Sequence, residues 1–238
     1  MLNLNIDKNI LLKLIKTNIL LGHKSSNRNP KMSKFILLKS NNIDILNPLK
    51  VIKYKKRAEL ALKECSYRGG LILFVCTKKQ NKKIIEKYAK KVNMPFINYK
   101  WPAGLLTNMK VTKLSIKKKK KIENKKKYIY KYLSKKEKLI IERKYKKIDK
   151  KFGTITKLNR LPLFLIIIDV KKEYIAVKEA KKKFIYIVGI TDTDSSPENI
   201  DYPIPANDDS YKSIKYILKG LIKSIKNGIK QRKKINDK

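Results

Sequence analysis

The chain is poor in the groups on which most enzyme chemistry rests. It has one histidine, His23, and two cysteines, Cys65 and Cys76, among 238 residues. Two cysteines make neither a disulfide framework nor a zinc spacing, and a lone histidine lacks partners for a metal. A reducing compartment follows. Long apolar runs are also missing: "LPLFLIII", 161–168, falls far short of the ~20 residues that span a bilayer. The opening stretch "MLNLNIDKNILLKLIKTNILLGH" carries Lys13 and Lys16 inside its apolar residues. It has no small-residue cleavage site and little Arg or Ser, so neither a signal peptide nor a transit peptide is expected.

Acidic residues are scarce as well. There are 19 Asp and Glu against 61 Lys and Arg, a net charge of +42. Apolar residues still make up 42% of the chain, enough to bury a core. A folded body with so much positive charge calls for a polyanionic partner, either nucleic acid or an anionic membrane surface. Arginine stands at only six positions (28, 57, 68, 143, 160 and 232), so 55 of the 61 basic residues are lysine. An AT-rich coding genome accounts for the choice of Lys over Arg, but not for a fold that tolerates the charge.

What the chain does contain is strand–helix alternation. Ile10, Leu11, Leu14, Ile15 and Ile19 recur at helical spacing over 10–21, and Gly22 is a plausible stop. A polar loop at 22–32, a strand near 33–38, a strand at 43–47 and a helix at 49–65 are expected next. "GGLILFVCTKKQ", 69–80, is a turn and a continuous apolar run, the pattern of a strand buried on both faces. A helix follows with Thr77 as candidate N-cap. Further strands are expected at 94–99, 161–170 and 183–193, with a helix at 172–182 between the last two. A final helix runs over about 208–229, capped by Asn207 or Asp208. This order predicts an α/β fold, Rossmann- or flavodoxin-like, with a doubly wound parallel sheet.

Residues 109–155 stand apart. Ile122, Ile129, Leu133 and Ile140 form one narrow seam, and Ile141, Tyr145, Ile148, Phe152 and Ile155 another, with Ser134 near the break. These predict an antiparallel coiled-coil hairpin. Between 117 and 151 it holds 18 Lys and Arg against four acids. The expected organisation is a discontinuous α/β domain, 1–108 and 156–229, an inserted basic hairpin, 109–155, and a basic tail, 230–238.

Several segments are candidates for RNA contact. His23, Lys24, Arg28, Asn29 and Lys31 fall on a loop kinked by Pro30, where mixed basic and amide groups suit phosphates and 2′-hydroxyls. The same Asn29-Pro30 pair also suits an ordinary turn. Lys78 and Lys79 stand where a Rossmann enzyme carries its glycines. Without those glycines the backbone cannot cradle a dinucleotide, so no cofactor is expected. "NYKWPAGLLTN", 98–108, offers Lys100 and Trp101, while Thr107 and Asn108 suit the cap of the first hairpin helix. Trp101 suits core packing equally. Lys110 and Lys113 open the basic hairpin, whose charge gives sequence-independent, salt-sensitive affinity for RNA. Asp192, Asp194 and Asp208 belong to an acidic segment that reads either as turn and cap chemistry or as a magnesium site.

The segments "LGHKSSNRNPKM", "RGGLILFVCTKKQ", "MPFINYKWPAGLLTN", "LPLFLIIIDVKKEYIAVKEA" and "DTDSSPENIDYPIPANDDSYKSIKYIL" together resemble the bacterial-type ribosomal protein S-two family over roughly 9–229. The resemblance implies five parallel strands with flanking helices, a coiled-coil hairpin, binding of small-subunit rRNA and no enzymatic role. It also implies neighbouring small-subunit proteins as partners, the mRNA-binding protein S-one among them, no membrane, and one copy per ribosome. Leu21 and Arg28 stand where the family usually has aromatics, which replaces stacking by charge at Arg28. Ala206 stands where bacterial members tend to have Gly, as in plastid members. With the AT-rich composition, this points to the ribosome of a plastid (chloroplast) stroma; a mitochondrial matrix or a bacterial cytoplasm is the alternative.

Overall fold

The structure is a computed structural model that describes residues 8–128, 132–155, 158 and 160–236. Five parallel strands form its centre: β4 (Ile72–Val75), β5 (Phe96–Ile97), β6 (Phe164–Ile168), β7 (Tyr186–Thr191) and β8 (Tyr202–Pro205), in the order β5-β4-β6-β7-β8. Ile72 pairs with Phe164 and Phe164 with Tyr186, and all four ladders are parallel. Side chains alternate between two cores. Phe74, Ile166 and Val188 face one; Leu73, Leu165 and Ile187 face the other. Both faces are covered, which is why these strands read as unbroken apolar runs.

Three helices cover the first face: α2 (Pro48–Tyr67), α3 (Lys82–Lys91) and α7 (Tyr211–Asn236). The second is covered by α6 (Tyr174–Lys182), through Ala176, Val177 and Ala180, and by Trp101, Leu105 and Leu106. Winding therefore reverses between β4 and β6, the place where doubly wound sheets open their ligand crevice.

Local chemistry moves several boundaries. α1 (Lys8–Lys16) ends before Gly22 because Asn18 turns the chain at φ 54° and sends Ile19 and Leu20 into the core. The expected loop at 22–32 holds strand β1 (Leu21–Lys24) and two 3₁₀ turns, Ser25–Asn27 and Pro30–Phe35. With β2 (Ile36–Ser40) and β3 (Ile43–Leu46), β1 makes a small antiparallel sheet in the order β1-β3-β2. The β2–β3 turn is Asn41-Asn42, both at positive φ, as two-residue hairpins require. Thr77 does not cap α3, since a 3₁₀ turn, Lys79–Asn81, intervenes. Asn207 accepts from the N–H groups of Asp209 and Ser210 ahead of α7. The same helix runs through the predicted tail as far as Asn236. Gly228 permits this, because a Cβ there would lie 2.3 Å from the Lys63 carbonyl oxygen of α2.

Helices α4 (Met109–Tyr128) and α5 (Lys135–Phe152) form the hairpin. Asn108 Oδ1 accepts from Val111 N–H at the start of α4, and Ser134 and Glu137 make a reciprocal capping box at the start of α5. Lys119 meets Asp149 at 2.8 Å and Tyr145 donates to Glu123 at 3.1 Å, an antiparallel register. The seam is more polar than the spacing predicts. Lys119 is buried within it and Ile140 is 43% exposed, while Ile129 lies outside the described residues.

Candidate nucleic-acid interface

Because the strands are parallel, their carboxyl ends all deliver side chains to one edge of the sheet. Lys78 follows β4, Asp169 follows β6, Asp192 follows β7, and Asp208 and Asp209 follow β8. Lys78 Nζ lies 2.9 Å from Asp169 and 2.8 Å from both Asp208 and Asp209. Burial alone would lower its pKa, but the three carboxylates outweigh that and raise it. Asp208 is 3% exposed, and burial beside Asp169 pushes its carboxyl up to about 7 against the pull of Lys78. Lys171 pairs with Asp194 at 2.9 Å.

The small sheet plugs into this edge. Gly22 passes so close to Thr193 that a Cβ would fall 2.4 Å from its methyl group. His23 N–H donates to Thr193 Oγ1 and Asn29 N–H to the Thr193 carbonyl, both at 2.9 Å. The His23 ring sits between two acids, Nδ1 3.2 Å from Asp192 and Nε2 3.3 Å from Asp209. Nδ1 is buried and not aligned as a hydrogen bond, so the contact is ionic in distance only. The Asp192 carboxylate nevertheless holds the imidazolium, and the pKa rises from 6.5 to about 9 despite burial. A group bound more tightly to its proton when folded stabilises the fold below its unfolded pKa, and that stabilisation is lost as pH rises through the folded value. Melting temperature is therefore expected to fall between pH 6.5 and 9. With the ring about a third exposed, solvent screening reduces the loss to about 1–2 kcal/mol. His23→Gln flattens that part of the profile; a variant as steep as the parent would assign the slope elsewhere.

The structure thus brings together His23, Lys78 and the acids, and it places the other predicted residues in two groups. Arg28 bonds to buried Asp44 through Nε at 2.8 Å and through its terminal nitrogen, and Lys31 pairs with Glu198. Asn29 caps the 3₁₀ turn by accepting from Lys31 N–H. Trp101 is 6% exposed and donates from Nε1 to Glu179 at 3.0 Å. Lys24, Lys79, Lys100, Asn108, Lys110 and Lys113 form the second group, all exposed. None of these five lysines joins an ion pair among the described residues. Asp192, Asp194 and Asp208 each meet a different cation, His23, Lys171 and Lys78, instead of converging on one point.

Two residues escape the sequence reading. Asp44 takes the inward position of the alternating "IDIL", and Glu179 falls on the apolar face of α6 between Ala176 and Ala180. An acid on an apolar face is the signal for each. Glu179 accepts from three donors of one loop: Trp101 Nε1, Gly104 N–H at 2.8 Å and Leu106 N–H at 3.0 Å. That carboxylate ties down the segment from which the basic hairpin springs.

Comparison with known proteins adds to this geometry. The pattern of the family described as Ribosomal protein S2 matches residues 14–228. "Small ribosomal subunit protein uS2" of Karelsulcia muelleri is 49% identical over 214 residues, covering 90% of this chain and 96% of its own. The protein of the same name from Flavobacterium johnsoniae is 39% identical over 221 residues, with 92% and 87% covered. That from Cytophaga hutchinsonii is 37% identical over 225 residues, with 94% and 89% covered.

Proposed function

Because this chain belongs to the ribosomal protein S2 family, we infer that it is a structural constituent of the small ribosomal subunit and not an enzyme. It binds folded rRNA by shape and charge. The observation that carries the RNA reading is the division of the cations. At the sheet edge His23, Lys78 and Lys171 are neutralised internally, whereas the hairpin carries 18 Lys and Arg against four acids between 117 and 151. Lys24, Lys79, Lys100, Lys110 and Lys113, with Asn108, are the proposed contacts to the RNA backbone, because their charges and amide are exposed. His23, Arg28, Asn29, Lys31, Lys78 and Trp101 act by holding those groups in place.

No described helix is long and apolar enough to cross a membrane. Neighbouring small-subunit proteins complete the setting, the mRNA-binding protein S-one among them, with a single copy of this chain in each ribosome. The named relatives are bacterial and favour a bacterial ribosome, the alternative to the plastid suggested by composition and Ala206.

A sucrose gradient run on cell lysate at moderate salt tests the assignment. The protein is expected with the small-subunit particles; its absence there and presence with vesicles would overturn it. Replacing Lys110 and Lys113 by Gln is expected to weaken RNA binding at low salt. The slope of log K against log salt should become shallower by roughly 0.9 for every phosphate the variant no longer neutralises.

A further inference from the structure

Beside the neutralised Lys78 lies a cavity of about 460 Å³, within the size range of small-molecule clefts. Lys79, Lys82, Lys100 and Lys172 line it together with Tyr99 and Trp101. None of these four lysines is in an ion pair among the described residues, although Lys78, one residue earlier, holds three carboxylates. The acid in the lining, Glu173, is 4% exposed and already accepts from the Thr77 N–H at 2.9 Å. The charge around the opening is thus left for something outside the chain.

The cavity also offers a flat apolar surface. The Tyr99 ring is 52% exposed, Lys82 Nζ stands 4.8 Å from its centre, and Ile175 is 38% exposed in the same wall. A half-exposed ring with Lys82 over it and further lysines around it matches a base joined to a phosphate: bases stack on such rings, and lysines meet phosphate as point charges. The backbone here has no glycine turn to cradle a pyrophosphate, so side chains must hold the anion. We propose that this cavity takes one nucleotide, its base against Tyr99 and its phosphate among Lys79, Lys82, Lys100 and Lys172.

An unpaired residue of an RNA strand and a free nucleotide share this chemistry. For the first, the inference builds on the RNA binding proposed above, and duplex RNA measures that binding separately. The full chain is titrated with a short labelled oligoadenylate, a duplex RNA of equal length, and AMP or ATP. Trp101, the chain's one tryptophan, lines the cavity and reports occupancy by its emission. Tyr99→Ala is expected to weaken the oligoadenylate about 5–10-fold, the lower part of the range for one stacked base, and to leave the duplex unchanged. Lys82→Gln with Lys172→Gln is expected to lower the salt slope for the single strand by about 0.7–1.4. AMP or ATP that displaces the oligoadenylate and depends equally on Tyr99 identifies a free nucleotide as the ligand. A chain that binds free nucleotide but no duplex supports the cavity and counts against the function proposed above. The inference is overturned if single strand and free nucleotides bind with no dependence on Tyr99 and no change at Trp101. Equal weakening of duplex and single strand in Tyr99→Ala overturns it too.

Discussion

Glu179→Ala is expected to lower the melting temperature by roughly 10 °C, a large shift for a chain of this length. The carboxylate is 7% exposed and receives three N–H donors from residues 101–106. Each buried donor left without an acceptor costs about 1–3 kcal/mol, so about 4 kcal/mol in total is reasonable with partial relaxation. At roughly 2–4 °C per kcal/mol for a domain of this size, the shift follows. Trp101 emission should move to longer wavelength as its anchor is removed. Glu179→Gln keeps one acceptor oxygen and should cost about half. A melting temperature unchanged in Glu179→Ala would mean that the loop is held by the packing of Trp101, Leu105 and Leu106 alone. Because this loop leads into α4, the same change is expected to loosen the hairpin and weaken RNA binding.

The second large effect is expected from Lys78→Met, which keeps the volume and removes the charge. It leaves Asp169, Asp208 and Asp209 facing one another with no central cation. Stripping one partner from a buried ionic group costs about 3–5 kcal/mol, and roughly 3 is expected near pH 8 because Asp209 is partly solvated. The destabilisation should shrink in acid. Asp208 already holds its proton up to about 7, and losing Lys78 pushes its carboxyl higher. A carboxyl raised on folding stabilises the fold at low pH, and that stabilisation disappears as pH rises through the folded value. Urea midpoints at about pH 5 and pH 8 therefore should differ more in the variant than in the parent. A variant as stable as the parent that binds RNA less tightly would instead make Lys78 a phosphate contact.

Much of the body is legible in the residues. Apolar runs at 161–168 and 184–190 mark strands buried on both sides, and Ser134 marks the hairpin break, since both signals act over a few residues. Spacing alone makes the first helix too long, because its apolar rhythm continues past Asn18, where one left-handed residue redirects the chain. The 3₁₀ turn before α3 is hidden for a related reason: Asn81 is buried and reaches the Asp208 carbonyl, an interaction that spacing cannot encode.

The candidate site is less legible. Its cations are visible one by one, but their positions in the chain do not separate a neutralised lysine from a free one. Lys78 and Lys79 are neighbours of identical chemistry, yet one is held by three carboxylates and the other is exposed beside a cavity.

By itself, then, the sequence determined the two-sided sheet, the basic hairpin, the missing dinucleotide cradle and the need for a polyanionic partner. Each rests on composition or on periodicity within a few turns of chain. Only the tertiary structure decided which charges remain available. His23 meets Thr193 across 170 residues and Lys78 meets Asp208 across 130, and parallel strand ends bring them together at one edge. Coulomb energy depends on distance in space and on burial, and neither is set by position along the chain.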